Sequence, residues 1–320
     1  MKKLSFITLA LAATLIACGA LAQAPTKKLI EYGWDVPTTD AVAKNIREME
    51  KRPFDGIIFR LKGGSNVLAP ALTDPAAYTE DLALLPDIAW EKFTDNFVIA
   101  LAASDQDWFD DTQWTNIVAN TKLVAKCARL GRCKGICFDA EPYGTNPWSY
   151  KDAAHKDTIA FADYSAKARQ RGAQFMCAIE SELPSPVILN FYLISLFNGY
   201  CRPMDEAERQ NKLSEHSYAL FPAFFEGMLE ASSAGTRFVD GNEPAYYYTT
   251  EREYLRVRQV ITERSRHFIP EVLWNDYHAK VQVGQALYLD QYFGLRTDPT
   301  LGNAMDPPDK ARWCEHNAYM

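Results

Sequence analysis

Short apolar runs alternate along the chain with longer segments of helical periodicity. "KLIEYGWD" precedes "TTDAVAKNIREMEKR", "FDGIIFRL" precedes a long irregular stretch, and "NFVIALAAS" precedes "TQWTNIVANTKLVAKCARLG". The series continues with "KGICFDAE" before "HKDTIAFADYSAKARQRG", "AQFMCAIES" before a helical insertion, "TRFVDGNE" before "EREYLRVRQVITERSRHF", and "KVQVGQALYLD" as the seventh run. Such alternation predicts repeated βα units. Apolar positions at Ala43, Ile46 and Met49, and at Leu255, Val257, Val260 and Ile261, suit helices that bury one face. The strands between them are apolar on both faces, as in a parallel sheet covered by helices. The expected fold is therefore an α/β (β/α)8 TIM barrel rather than an open doubly wound sheet. The count stops one strand short: at "RWCEHNAYM", Arg312 to Met320, an outer helix begins, so the sequence reads as a barrel lacking its C-terminal strand. Residues 184–235 read as a helical insertion after strand five, lying over the face where such barrels build their sites.

Within "KGICFDAE", strand alternation puts Cys137, Asp139 and Glu141 on one face, and Ile136 and Phe138 on the other. The bulky pair suits the outer helices, so the acids face inward at the C-terminal end of a strand. Burying an unpaired carboxylate costs several kcal/mol or forces it to keep its proton, so two such acids belong at an open mouth. The same parity on "AQFMCAIESE" places Glu180 and Glu182 inward. Asp240 ends "TRFVD", with Glu243 in the loop beyond; Asp35 ends the first run and Asp290 the last. Asp35 and Glu243 also suit a second role as helix N-caps. Arg60, inward with Ile58, reads equally as a substrate contact or as the ion-pair partner of Asp35 or Asp139. Trp34, Tyr143, Trp148, Tyr150 and the run Tyr246 to Tyr248 adjoin strand ends, where flat rings suit the C–H faces of sugars.

Composition narrows the partners. The chain has 320 residues, 48% hydrophobic and 23% charged, with a formal charge of −7 and no basic block. This argues against nucleic acid and against an anionic membrane surface, and leaves neutral or cationic small ligands. Residues 1–24 carry Lys2 and Lys3, an apolar run and small residues, the pattern of an export signal. "LIACG" resembles a lipobox with Cys18 as the lipidated residue, while "ALAQA" serves ordinary cleavage equally well. A single catalytic domain over 25–320 is expected, exported in a bacterium to the periplasm, to the outer membrane as a lipoprotein, or to the medium. No later apolar run reaches the roughly 20 residues of a membrane span. Cys127 and Cys133 are the best-placed disulfide candidates, with Cys137 and Cys177 read as buried thiols. Five histidines, none near a strand end among the acids, do not make a zinc centre, and no phosphate loop or nucleophile elbow is present, so neither a metal nor a cofactor is expected.

"GICFDAEPY" resembles the strand-four signature of family 18 chitinases and related endoglycosidases, D-x-x-D-x-D-x-E. Matched from the right, Glu141 falls on that family's acid and Asp139 on the adjacent supporting Asp, while Cys137 and Lys134 occupy the two earlier Asp positions. The resemblance covers about ten residues and implies a glycosidase-like barrel. "VDGNEP", Val239 to Pro244, is similar to the sixth-strand acids of other barrel glycosidases. The expectation is a glycoside hydrolase acting on a poly- or oligosaccharide, with Glu141 as acid, Asp139 supporting it, and Asp240 or Glu180 as partner carboxylate. Asp35, Arg60, Trp34, Tyr143, Glu182, Glu243, Tyr246 and Asp290 would bind substrate. Two alternatives are a sugar-binding barrel without turnover and a hydrolase using the carboxylates as oxygen ligands for Mg²⁺ or Ca²⁺.

Overall fold

The computed structural model describes residues 27–33, 35–248 and 250–287. The export signal and its Cys18, the aromatic Trp34 and the acid Asp290 lie outside the described residues, and no described helix is long and apolar enough to cross a membrane. Seven strands form one all-parallel sheet in chain order: β1 (Ile30–Glu31), β2 (Gly56–Phe59), β3 (Phe97–Leu101), β4 (Gly135–Asp139), β5 (Val187–Asn190), β6 (Arg237–Asp240) and β7 (Val281–Val283). Eight helices are described: α1 (Thr39–Met49), α2 (Thr79–Leu84), α3 (Asp111–Leu130), α4 (Phe161–Glu182), α5 (Glu206–Ser214), α6 (Phe221–Ala231), α7 (Glu251–Thr262) and α8 (Trp274–Lys280).

The sheet curls into a half-barrel, and its two faces bury different cores. Ile58, Phe97, Ile99 and Cys137 meet on the concave side, with Ile30, Val187 and Leu189 packed against them. Phe59, Val98, Ile136, Phe138, Ile188 and Phe238 point the other way, into a larger core with Val42 and Ile46 of α1, Val124 of α3, Phe175 of α4 and Phe224 of α6. The parity read on β4 holds: Cys137 is inside and Ile136 and Phe138 are outside. The structure thus supports an α/β, TIM-like partial barrel, with no pairing between β7 and β1 among the described residues.

The fifth strand is not where the sequence pattern put it. "AQFMCAIES" is the last part of α4, a 22-residue helix. Alternating and helical patterns overlap there: Ala168, Phe175 and Ile179 recur at seven- and four-residue spacing and are all buried, which is one helical stripe. The true β5, "VILN", follows Pro184 and Pro186 within the stretch assigned to the insertion. The insertion reduces to a loop, α5 and α6 after β5. Its length therefore counts one missed strand. Cys177 is exposed on α4 rather than buried, and Cys127 and Cys133 are free buried thiols rather than a disulfide. Leu255 on α7 is exposed, the helix burying Tyr254, Val257, Val260 and Ile261 instead.

Gly135 fixes how β4 enters the sheet. A Cβ there would lie 1.7 Å from the Val187 carbonyl oxygen, far inside any carbon–oxygen contact distance. Gly135→Val must separate β4 from β5 and should lower stability by about 3 kcal/mol, the upper end of overpacking costs. A urea unfolding curve within error of wild type would contradict that close approach.

Candidate active site at the strand ends

Asp139 is the last residue of β4 and is fully buried. Its Oδ1 accepts the backbone N–H of Glu141 at 2.9 Å, which bends the chain as it leaves the strand. The turn continues through Gly144 N–H to Pro142 O at 2.7 Å, with Gly144 at φ 121°, a conformation open mainly to glycine. Trp148 then ties the loop down. Its ring is buried among Phe138, Phe221 and Phe224, and its Nε1–H donates to Ala140 O at 2.8 Å. Trp148 is therefore core and not a sugar platform. Tyr150 likewise packs on Phe161 and Tyr164.

The neighbouring loops are joined through Asp240. By its alternation with Phe238 it faces the helix side of β6, not the concave side. Its carboxylate accepts Leu193 N at 3.2 Å, Ser195 N at 2.7 Å, Ser195 Oγ and Asn242 N at 3.2 Å. Burial pushes its carboxyl upward, and the hydrogen bonds from Ser195, Asn242 and Leu193 oppose this. Asp240 is thus a loop fastener rather than the partner carboxylate anticipated. What it fastens is informative: Asn242 takes the left-handed conformation at φ 43°, and Glu243 N–H donates to Phe191 O at 2.8 Å. These contacts deliver Glu243 toward the acids of β4.

Asp139, Glu141 and Glu243 share one electrostatic neighbourhood. Burial raises Asp139 to about 7, with the Glu141 charge adding to it and the Glu141 N–H and the Tyr143 hydroxyl opposing. Burial likewise raises Glu243 to about 7, with the charges of Glu141 and Asp139 adding and the Tyr246 hydroxyl opposing. Tyr143 hydrogen-bonds Glu141, and its own phenol is pushed up by burial and by that bond. Burial raises the phenols of Tyr32, Tyr192, Tyr218 and Tyr246 too, with these acids adding to it and, at Tyr218, the Tyr192 hydroxyl opposing. Tyr192 and Tyr218 join hydroxyl to hydroxyl at 2.7 Å. Tyr32, Tyr143 and Tyr247 stand exposed around the rim.

The other predicted residues lie apart. Glu180 and Glu182 close α4, immediately before β5, and so sit at the opposite end of the sheet. Glu180 accepts Ser233 N at 2.9 Å and the Thr236 hydroxyl, and Glu182 pairs with Arg129 at 3.2 Å. Both are structural, a correction that follows from the misplaced strand. Asp35 is exposed in the bend before α1, whose N-cap position belongs to Thr38. Glu243 does not cap α7 either, where Thr250 and Glu253 form a capping box. Arg60 is exposed after β2, bridged to Thr38 through backbone only, with no acid among the described residues pairing its guanidinium. Tyr32, Tyr192 and Tyr218 were missed because a lone tyrosine carries no sequence signal and the last two sat in the supposed insertion.

No three His, Cys, Asp or Glu side chains among the described residues converge as metal ligands. Two surface grooves occur elsewhere, one lined by Glu263, Arg266, His267 and Trp274, the other by Glu206, Arg209, Glu226 and Phe268. Neither includes a residue of the strand ends. Compared with known proteins, the chain matches no family model, no curated protein and no solved structure.

Proposed function

We propose that the protein is an exported glycoside hydrolase acting on a poly- or oligosaccharide through Glu141 and Glu243. The observation that carries this reading is the meeting of Asp139, Glu141 and Glu243 at one rim, with two of the three held near neutrality. Glycoside hydrolysis needs one carboxyl that keeps its proton and one that works ionised. Glu243, raised to about 7, is suited to donate the proton. Glu141 accepts from Tyr143, a bond that fixes its side chain at the rim opposite the donor, where it serves as nucleophile or base. This reverses the role that the strand-four resemblance implies for Glu141. Asp139 has no exposed surface and acts as a positioning residue, orienting Glu141 through the backbone bond. Tyr32, Tyr143 and Tyr247 are exposed and offer apolar area for sugar C–H groups.

The test is reducing-end release by the purified protein across a panel of neutral, acidic and amino polysaccharides. Release that vanishes in a Glu141→Gln/Glu243→Gln double variant supports the proposal. Release unaffected by both substitutions, or none on any polymer, overturns it.

A further inference from the structure

Away from the strand ends, a groove of about 390 Å³ is lined by α5, the first turns of α6 and residues 266–270, which follow α7. Leu213, Phe268 and Ile269 line it with mostly buried apolar side chains, and Pro222 and Ala223 of α6 extend that lining. Ligand sites are typically concave, roughly 300–1,000 Å³ in volume and mainly apolar, with a few polar groups that fix orientation. This groove has that make-up, and no residue of the acidic rim lines it.

The polar groups of the groove leave room for an anion. The Arg209 side chain is only 11% exposed, yet its guanidinium makes nothing but long contacts: 3.5 Å to Glu206, and 3.4 Å to the carbonyls of Arg202 and Met204. Ordinary N–H···O bonds run about 2.9–3.0 Å, so this fork keeps donor capacity. Arg266 and His267 also line the groove, and among the described residues neither side chain makes an ion pair or a hydrogen bond. Two acids line it with them. Glu206 is exposed and accepts from Gln210 at 2.7 Å. Glu226 lies 3.6 Å from Arg169, and burial raises it to about 7, with Arg169 opposing and Glu206 and Glu230 adding. Below that pH its carboxyl is a neutral donor and not a repelling charge. A second groove adjoins along the same Arg266 and His267, its other charged or titratable side chains being Arg264, His278 and Glu263. The seam thus concentrates cations in a chain of net charge −7.

We infer that this groove binds a small organic anion with an aliphatic body, its acid group held by Arg209 and Arg266 and its chain lying against Leu213 and Phe268. Charge and lining agree on that occupant. Arginine forks match the two oxygens of a carboxylate, and the apolar lining gains from each methylene it takes out of water. The inference stands apart from the glycosidase reading, because the residues it uses belong to the outer helices and not to the rim.

The experiment is calorimetric titration of the purified protein at pH 6 with octanoate, octanamide, acetate and inorganic phosphate. Octanoate should bind about tenfold more tightly than octanamide, the margin of a charge-assisted over a neutral hydrogen bond. It should bind at least about a hundredfold more tightly than acetate, which lacks the methylenes that the groove would bury. Arg266→Glu should bring octanoate down to the level of octanamide and leave octanamide unchanged. Ala223→Leu, which puts bulk into the groove, should weaken both severalfold. Arg266 is exposed and Ala223 is half-buried on α6, where leucine suits a helix, so both variants keep the fold. Octanamide binding as tightly as octanoate overturns the anion. Acetate or phosphate binding as tightly as octanoate overturns the aliphatic body. Octanoate binding that is unchanged in either variant, or absent in the wild type, overturns the site.

Discussion

Glu243→Gln should lower turnover on glycosides with poor leaving groups by about 10²–10⁴-fold, the usual contribution of general acid catalysis. Glutamine keeps the size of the side chain and one hydrogen-bond acceptor but has no proton to release. Aryl glycosides with activated leaving groups need little protonation and should stay within about tenfold of wild type. Glu141→Gln should behave differently, because a nucleophile or base is needed whatever the leaving group: both substrate types should collapse together. The pH profile adds an independent check. A carboxyl raised to about 7 is protonated below that pH and ionised above it, so kcat/KM should fall on the alkaline side of about 7. Glu243→Gln should remove that alkaline limb from what activity remains. The opposite pattern, with aryl glycosides spared in Glu141→Gln, would return the acid role to Glu141. Equal loss on both substrate types in both variants would remove the acid assignment altogether.

The succession of strands and helices was legible because each unit has a strong local signal. "FVIAL" and "GICFD" are short, apolar on both faces and set off by polar or glycine-containing segments, and α3 opens on Asp110, whose side chain accepts Thr112 N and Gln113 N. The site was legible where parity on one strand sufficed, as for Asp139. It failed where parity was applied to a helix. Residues 174–182 contain enough apolar positions to fit either period, and only the unbroken run from Phe161 decides for the helix. That single error moved Glu180 and Glu182 to the wrong end of the sheet and hid β5, Tyr192 and Tyr218 in an insertion.

Asp240 and Glu243 illustrate a different limit. Both sit near the end of β6, and nothing local says which is spent on structure. The answer depends on the loop after β5, whose Leu193 and Ser195 amides point at Asp240 and leave Glu243 as the acid that meets Glu141. Two loops separated by more than forty residues in sequence settle the matter, and a single strand's alternation carries no information about them.

Asp139→Asn should stabilise the folded protein, and the gain should depend on pH. In the unfolded chain Asp139 loses its proton near 3.8; in the native state burial and the Glu141 charge hold it to about 7. Between those values the native state binds more protons than the unfolded state, so stability falls as pH rises and levels off above about 7. A shift of about three units corresponds to roughly 4 kcal/mol as an upper figure, at 1.36 kcal/mol per unit. Asparagine keeps an Oδ1 to accept the Glu141 amide at the same place and has no charge to desolvate. Unfolding by urea at pH 4, 5.5, 7 and 8.5 should therefore show variant and wild type close together at pH 4, with the variant increasingly ahead up to pH 7 and no further change at 8.5. Glu243→Gln should follow the same sign over the same window, since Glu243 is raised by the same causes. Stability carried by these acids would then be traded for a proton kept within reach of the rim at neutral pH. A variant that is less stable at pH 8.5, or a difference that does not change with pH, would show that Asp139 is not held protonated by the fold.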